Sequence, residues 1–303
     1  MKYKKELESF SRDIKGKIIF DYDLKKRNWF NIGGKIEVFF KPDSLNELIL
    51  FLKNFSDKIR IFTLGAGSNL LISDQYLKGA AIKLGKNFSH LSKLSDEKII
   101  AGSACSDKQV SDFAMENNIS NLEFLSCIPG TVGGGLRMNS GCFGQEFKDI
   151  LISIQALDPN GNMVTIPPNK FDFGYRFCGL DKKLIFLSAT LKGLLSSKKE
   201  IEKKIKFLKD KKDKAQPTKI KTSGSTFKNP INQTEQKVWE LIKRSVPSNT
   251  KFGDAKISEK HSNFFINENN ASFDDMENLI KFVQEKVKLK TGIEIETEIE
   301  IIK

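Results

Sequence analysis

Apolar and polar positions along this chain follow two periods, one near two residues and one near 3.6. Residues 36–40, Ile-Glu-Val-Phe-Phe, read as a short strand. Behind it Leu45, Leu48, Ile49, Leu52 and Phe55 recur at helical spacing, with Ser44 as N-cap and Glu47 three residues on, the pattern of a capping box. A strand at 59–64 runs into Gly65-Ala66-Gly67-Ser68-Asn69 and the apolar Leu70-Leu71-Ile72, and residues 80–84 read as a further strand. Ile99-Ile100 is another strand, and Ser106 opens a helix that reaches Asn118. Two strands, 150–157 and 163–166, flank the turn Asp158-Pro159-Asn160-Gly161 as a hairpin, and 184–191 is a strand.

A charged helix starting at Ser197, with Glu200 as its capping partner, carries one apolar stripe of Ile201, Ile205 and Leu208. A loop over 213–228 follows, then a helix near 236–244 and a strand at 264–267. A long helix runs from Ser272, with Asp275 as capping partner, to Gly292. The chain closes on a strand over 293–301, in which Ile293, Ile295, Thr297, Ile299 and Ile301 face one way and Glu294, Glu296, Glu298 and Glu300 the other. Periodicity reads those glutamates as one solvated face and does not choose among them. Strands and helices mix without a βαβα repeat, so the fold class is α+β.

Two glycine-rich turns stand out. Gly65-Ala66-Gly67 follows a strand, as a phosphate-binding turn should, but lacks the third glycine and the following helix of a dinucleotide fingerprint. It also lacks the Gly-Lys-Ser/Thr of a P-loop, and a simple hairpin turn would look the same. Residues 128–135, Ile-Pro-Gly-Thr-Val-Gly-Gly-Gly, are denser in glycine than a structural turn needs, which suggests backbone laid against a flat or charged ligand.

Composition narrows the classes. The 303 residues suffice for about two or three domains, with 39% hydrophobic and 29% charged residues, as in globular proteins. No apolar run approaches the roughly 20 residues of a membrane span, and the polar N-terminus has no signal-peptide core. A cytoplasmic setting without a membrane partner is expected. The four cysteines are widely spaced and only two histidines occur, so no metal site is expected. The net charge of +12 is carried mostly by scattered lysine. Nucleic acid is one conceivable partner, but no recognised module or aromatic–basic interleaving accompanies the charge, so none is expected.

Taken in order, several segments are identified as similar to the UDP-N-acetylenolpyruvoylglucosamine reductase (MurB) family. They are Trp29-Phe30-Asn31-Ile32-Gly33-Gly34, residues 64–72, residues 128–135 with Met138-Asn139, and Phe173-Gly174-Tyr175-Arg176. Gln216-Pro217, Gly224-Ser225-Thr226-Phe227-Lys228-Asn229-Pro230, residues 257–267 and Thr297-Glu298-Ile299 continue the match. The short stretch from Arg176 to Leu184 resembles the branch of the family without a tyrosine-bearing loop insertion. Lys212-Asp213, Phe177-Cys178, Asn31, Arg137 and Ser140 depart from the family's usual residues.

The resemblance implies a two-lobed FAD-binding domain of the vanillyl-alcohol-oxidase type, with lobes at 1–86 and 87–196, and a C-terminal α+β substrate-binding domain at 197–303. It implies non-covalent FAD, NADPH as hydride donor, a UDP-sugar substrate and a monomer. FAD contacts would come from Leu64, Gly65, Ala66, Gly67, Ser68, Asn69 and Leu70, and from Ile128, Pro129, Gly130, Thr131, Gly133, Gly134, Met138 and Asn139. By the same match Ser225 donates the proton that completes reduction of the enolpyruvyl group, Arg176 stabilises the developing carboxylate-linked charge, and Glu298 polarises the enol. Tyr175, Lys228 and Asn229 would contact substrate. Taken without the resemblance, Ser225 is an ordinary turn serine and Arg176 a surface or inter-lobe ion pair. A flavin-dependent sugar or alcohol oxidase of the same fold, with FAD attached through histidine or cysteine, is the alternative enzyme.

Overall fold

The computed structural model describes residues 2–217 and 220–303. Met1, at the start of the expected first lobe, and Thr218 and Lys219, within the expected 213–228 loop, lie outside the described residues. Strands and helices mix as the α+β reading requires. The chain divides into two compact units, each assembled from three stretches. The first comprises Met1–Tyr22, Ile36–Ala66 and Lys78–Lys211, and the second Asp23–Lys35, Gly67–Leu77 and Lys212–Lys303. Two N-terminal stretches that the linear reading gives to the first lobe therefore fold into the second unit.

The first unit holds two sheets. One orders its strands Lys17–Asp23, Lys35–Lys41, Leu77–Ile82, Ile61–Thr63, the last two parallel. The Leu45–Phe55 helix packs Leu48, Phe51, Leu52 and Phe55 into this lobe's core with Val38, Phe40, Ala80 and Ile82. The other sheet is antiparallel, ordered Met163–Ile166, Leu151–Leu157, Ile185–Lys192, Lys98–Gly102, Leu91–Ser95. Its central strands pack Ile99, Ala101, Ile154, Ala156, Phe186, Ala189 and Leu191 into one core with the Asp107–Glu116 and Val132–Met138 helices, while Leu157, Ile185 and Leu187 join the core of the first sheet.

Ser44 caps its helix as expected, accepting from the Glu47 N–H at 3.2 Å, but the box does not close. The Glu47 carboxylate turns away and accepts the N–H groups of Lys15, Gly16 and Asp43 at 2.8, 3.1 and 2.8 Å. A long-range demand for an acceptor has overridden the local motif. The charged helix runs Lys198–Ala215, past the expected loop start at 213, with Ile201, Ile205 and Leu208 buried. Its good helix formers have no proline until Pro217 to stop them.

In the second unit the Val238–Ser245 and Phe273–Thr291 helices pack with a three-stranded antiparallel sheet, Lys251–Phe252, Ala255–Ile257 and Phe265–Asn267. Met276, Leu279, Ile280, Val283 and Val287 bury one stripe of the long helix against Phe227, Phe265 and Ile257. Ser272 and Asp275 form the expected capping box, and Gly292 ends the helix at φ +73°. The last strand is shorter than the alternation suggests, Glu300–Ile302, pairing in parallel with Leu70–Ile72. The alternation itself survives: Ile295 and Ile299 are buried, and Glu294, Glu296 and Glu300 are exposed.

Replacing Glu47 by alanine removes one acceptor from three backbone donors. We expect a loss of about 3 kcal/mol in urea unfolding. A loss below about 1 kcal/mol would mean that water satisfies those donors equally well.

Candidate functional site

In the first unit the second glycine turn leads into the Val132–Met138 helix, with Thr131 at the N-cap. Segment 103–107 lies beneath it as a template. Val132 and Gly133 donate to the carbonyls of Cys105 and Ser103 at 3.0 Å, Asp107 N–H donates to Gly130 O at 3.2 Å, and Ser106 bridges Thr131. A Cβ on Gly130 would lie 2.6 Å from an Asp107 oxygen, and one on Gly65 would lie 2.8 Å from Thr131 Oγ1. The two predicted turns therefore meet at Gly65 and Thr131, and side chains are excluded there by packing. Gly134 differs: a Cβ would have only Thr131 Oγ1 nearby, at 3.6 Å, and the residue is exposed. A backbone shelf without side chains is the surface that a flat dinucleotide needs, so the residues present fit FAD.

The same helix ends at Asn139, in the left-handed conformation at φ 40° and fully buried. Its amide donates to Glu146 Oε2 at 3.0 Å and Gly174 O at 2.8 Å, and its Oδ1 accepts from the Lys148 N–H. Its side chain is thus a structural tie that fixes the hairpin Phe173–Gly174/Phe177–Cys178. That hairpin's two-residue turn is Tyr175-Arg176, with Arg176 at φ 52°. The half-buried guanidinium donates to Gly141 O at 2.9 Å, approaches Glu146 Oε1 at 3.5 Å and stands over the Tyr175 ring at 5.0 Å. Arg176 and Tyr175, predicted together, are together.

The unit boundary falls inside the first glycine turn, between Ala66 and Gly67. In the second unit Gly67, at φ +73°, abuts Arg27: a Cβ there would sit 2.0 Å from Arg27 O. Its glycine character is explained by that contact. Asn69 donates through Nδ2 to Glu298 O at 3.0 Å and accepts from Glu300 N–H at 2.9 Å. Leu70 O accepts from the buried Ser223 hydroxyl at 3.2 Å. Glu298 N–H donates to Thr226 O at 2.8 Å, and Phe227 bridges Thr297. Ser225 and Glu298 are thereby one ladder position apart. Gly224, at φ +79° with nothing within 4 Å of its would-be Cβ, opens the space ahead of Ser225. Of the four alternating glutamates Glu298 alone is half-buried. Lys228 meets Glu296 at 3.4 Å, and Asn229 Oδ1 accepts the first N–H of the Val238–Ser245 helix at 3.0 Å, a capping role.

The sequence reading missed the asparagines. Asn263 holds Phe227 from both sides, accepting its N–H and donating to its carbonyl, each at 2.9 Å, while its own carbonyl accepts from Thr226 N–H at 2.8 Å. Asn267 donates to Phe30 O at 2.7 Å and accepts from Ala271 N–H at 2.8 Å. The available signal was two asparagines embedded in an apolar strand run, where only backbone pairing makes their burial tolerable. His261 lies beside them: its Nδ1 accepts from Asn263 N–H at 3.2 Å, and burial holds its pKa below the ordinary histidine range. Among the described residues no group of three or more acidic, histidine or cysteine side chains could hold a metal ion, and no helix is long and apolar enough to cross a membrane.

Asn263→Ala leaves two buried backbone groups of Phe227 without partners. The expected cost is about 2–4 kcal/mol in unfolding free energy. A cost within 0.5 kcal/mol of zero, roughly the surface average, would contradict the clamp.

Residues 216–302 match the model of the UDP-N-acetylenolpyruvoylglucosamine reductase C-terminal domain, and residues 36–167 match an FAD binding domain. A UDP-N-acetylenolpyruvoylglucosamine reductase of Pelagibacter ubique is 62% identical over 298 residues, 98% of this chain and 99% of its own length. One from Rickettsia bellii is 42% identical over 289 residues, 95% of each chain. The crystal structure of the reductase (MurB) from Thermus caldophilus superposes with a TM-score of 0.81 at 27% identity, covering 96% of this chain and all of that one.

Proposed function

The chain belongs to the UDP-N-acetylenolpyruvoylglucosamine reductase family, and from that membership we propose that Ser225, Glu298 and Arg176 are its catalytic residues. The reaction is reduction of the enolpyruvyl group of UDP-N-acetylglucosamine enolpyruvate to give UDP-N-acetylmuramate, a step in peptidoglycan precursor synthesis, with NADPH as hydride donor. FAD, when bound, takes the hydride from NADPH and passes one to the substrate's double bond.

Hydride addition leaves negative charge on the carbon next to the substrate carboxylate, and that carbon needs a proton. Ser225 Oγ supplies it. The observation that carries this role is the hydroxyl's setting: it follows the open left-handed Gly224, is one ladder position from Glu298, and has no hydrogen bond of its own among the described residues. A hydroxyl is a weak acid, but a carbanion-like carbon accepts from it when geometry is right. Glu298 polarises the enol from the adjacent position. Arg176 offers a planar, permanently charged guanidinium to the carboxylate, held in place by Gly141 O and Glu146. Tyr175 and Lys228 contact substrate, while Asn229 acts through its cap on the Val238–Ser245 helix.

FAD lies on the backbone shelf of Leu64, Gly65 and Ala66 with Ile128, Pro129, Gly130, Thr131, Gly133 and Gly134, without a covalent link. Burial pushes the thiol of Cys105, whose carbonyl accepts from Val132 N–H beside that shelf, up to about 11, which makes it a poor nucleophile. We take the flavin lobes to be residues 1–86 and 87–196 and the substrate domain 197–303, except that Asp23–Lys35 and Gly67–Leu77 fold with the substrate domain and residues 197–211 with the flavin lobes. A cytoplasmic monomer is the proposed state, without a membrane or nucleic-acid partner.

Ser225→Ala should leave flavin bleaching by NADPH near the wild-type rate and slow reoxidation by the enolpyruvyl sugar nucleotide about 10²–10⁴-fold. Equal slowing of both half-reactions would assign Ser225 a structural role. Gly134→Val adds a side chain where the protein has room, so the fold should stand while FAD binding weakens at least about tenfold. Wild-type FAD affinity in that variant would remove the turn from the cofactor site.

A further inference from the structure

Asp107 has no role in the chemistry above, yet it is the costliest side chain beneath the glycine turn. It is the first residue of the Asp107–Glu116 helix, fully buried, and neither carboxyl oxygen has a hydrogen-bond partner among the described residues. Ser103 and Ser111, the latter one helical turn on, are also buried with unpartnered hydroxyls. The carboxyl underlies Gly130, where a Cβ would meet it at 2.6 Å, and the Asp107 N–H donates to the Gly130 carbonyl. One residue therefore meets the turn twice, through a backbone hydrogen bond and through a carboxyl that fills the space a Gly130 side chain would need.

We propose that Asp107 is a positioning residue for the cofactor: its carboxyl seats the Gly130–Thr131 turn and so sets the height of the backbone that FAD lies on. This inference rests on the reading that the turn holds FAD. Burial, with no cation to offset it, raises the carboxyl well above the usual carboxylate range and so favours the neutral acid in the folded protein. A charge appearing there would have no partner and would push against Gly130. The ionisable groups around it offer no compensation. Cys105 precedes it, and its thiol is itself driven up by burial and, secondarily, by Asp107. The segment Glu123–Cys127, packed on the same helix, carries Glu123, paired with Lys204 at 3.0 Å, and Cys127. The turn residues 128–134 carry no ionisable side chain. On the helix itself Lys108 and Asp112 pair with each other near solvent.

The sign follows from linkage. In the unfolded chain the group ionises near pH 4, whereas in the fold it holds its proton, so stability falls as pH rises from about 4 towards the folded value. Cofactor affinity follows the same group in its upper range, where the charge forms in the folded state.

The test is dilution of the holoenzyme, reading released flavin by its fluorescence at several pH values. For the wild type FAD should loosen about tenfold between neutral and alkaline pH. Asp107→Asn, which keeps the shape without the proton, should flatten that profile and raise thermal stability at neutral pH but not near pH 4. Asp107→Ala should loosen FAD about tenfold at neutral pH with the fold retained. Wild-type affinity in Asp107→Ala, or an unchanged alkaline profile in Asp107→Asn, overturns the proposal. The wild-type profile is itself decisive: an FAD affinity flat with pH sinks it without any variant. Gly134→Val separates the two failures. If that variant loses FAD while the Asp107 variants do not, only the Asp107 role falls. If it binds FAD normally, the reading of the turn falls first.

Discussion

Three parallel backbone rungs, Glu300 to Leu70, Ile301 to Leu71 and Ile302 to Ile72, return the chain's last strand to a segment some 230 residues earlier. The order of the second unit's polar cluster depends on them. Leu70 O fixes Ser223, Asn69 fixes the carbonyl of Glu298, and Glu298 N–H fixes Thr226. Closing so long a loop is entropically unfavourable, and three rungs alone would not hold it. The apolar side of the same strand supplies the rest, since Ile295 and Ile299 enter the core with Leu71, Phe227 and Phe265. Alternation thus does two jobs: the buried isoleucines anchor the strand, and the opposite face is free to present glutamates.

The asparagines solve a different problem. A hydroxyl that is to donate a proton to substrate, as proposed for Ser225, must be exposed, so its segment cannot be buried in a regular sheet. Residues 225–228 are held by isolated bridges to Phe264 and Thr297, and Asn263 supplies for Phe227 the donor and acceptor that a neighbouring strand would have supplied. Such side-chain substitutes for a ladder rigidify a loop without covering it. Asn139 does the same in the first unit, tying a helix end to the Tyr175-Arg176 hairpin.

The glycines divide by physical cause. Gly67 and Gly130 are glycine because protein atoms occupy the place of a side chain, Arg27 O in one case and the Asp107 carboxyl in the other. Gly134 has no such neighbour except a distant hydroxyl, so the protein itself does not require it. That contrast, invisible in a run of identical letters, identifies the position where a ligand is the more economical explanation.

From the sequence alone the elements were legible wherever periodicity was strong: the 45–55 and 273–291 helices, the 151–166 hairpin and the alternating terminus. The family and its chemistry were legible from ordered motifs, because short segments in one order carry more information than any local propensity. What the tertiary structure decided is what depends on partners far away in sequence. Periodicity left four glutamates equivalent, and the structure half-buries Glu298, the one the motif match names, because burial is set by what packs on a strand and not by its period. The tertiary structure turned Glu47 from its own helix cap to the N–H groups of Lys15, Gly16 and Asp43, because three backbone donors, two of them some 30 residues away, outweigh one. It also moved residues 23–35 and 67–77 into the C-terminal unit, because a unit is defined by contacts, and contacts need not follow the order of the chain.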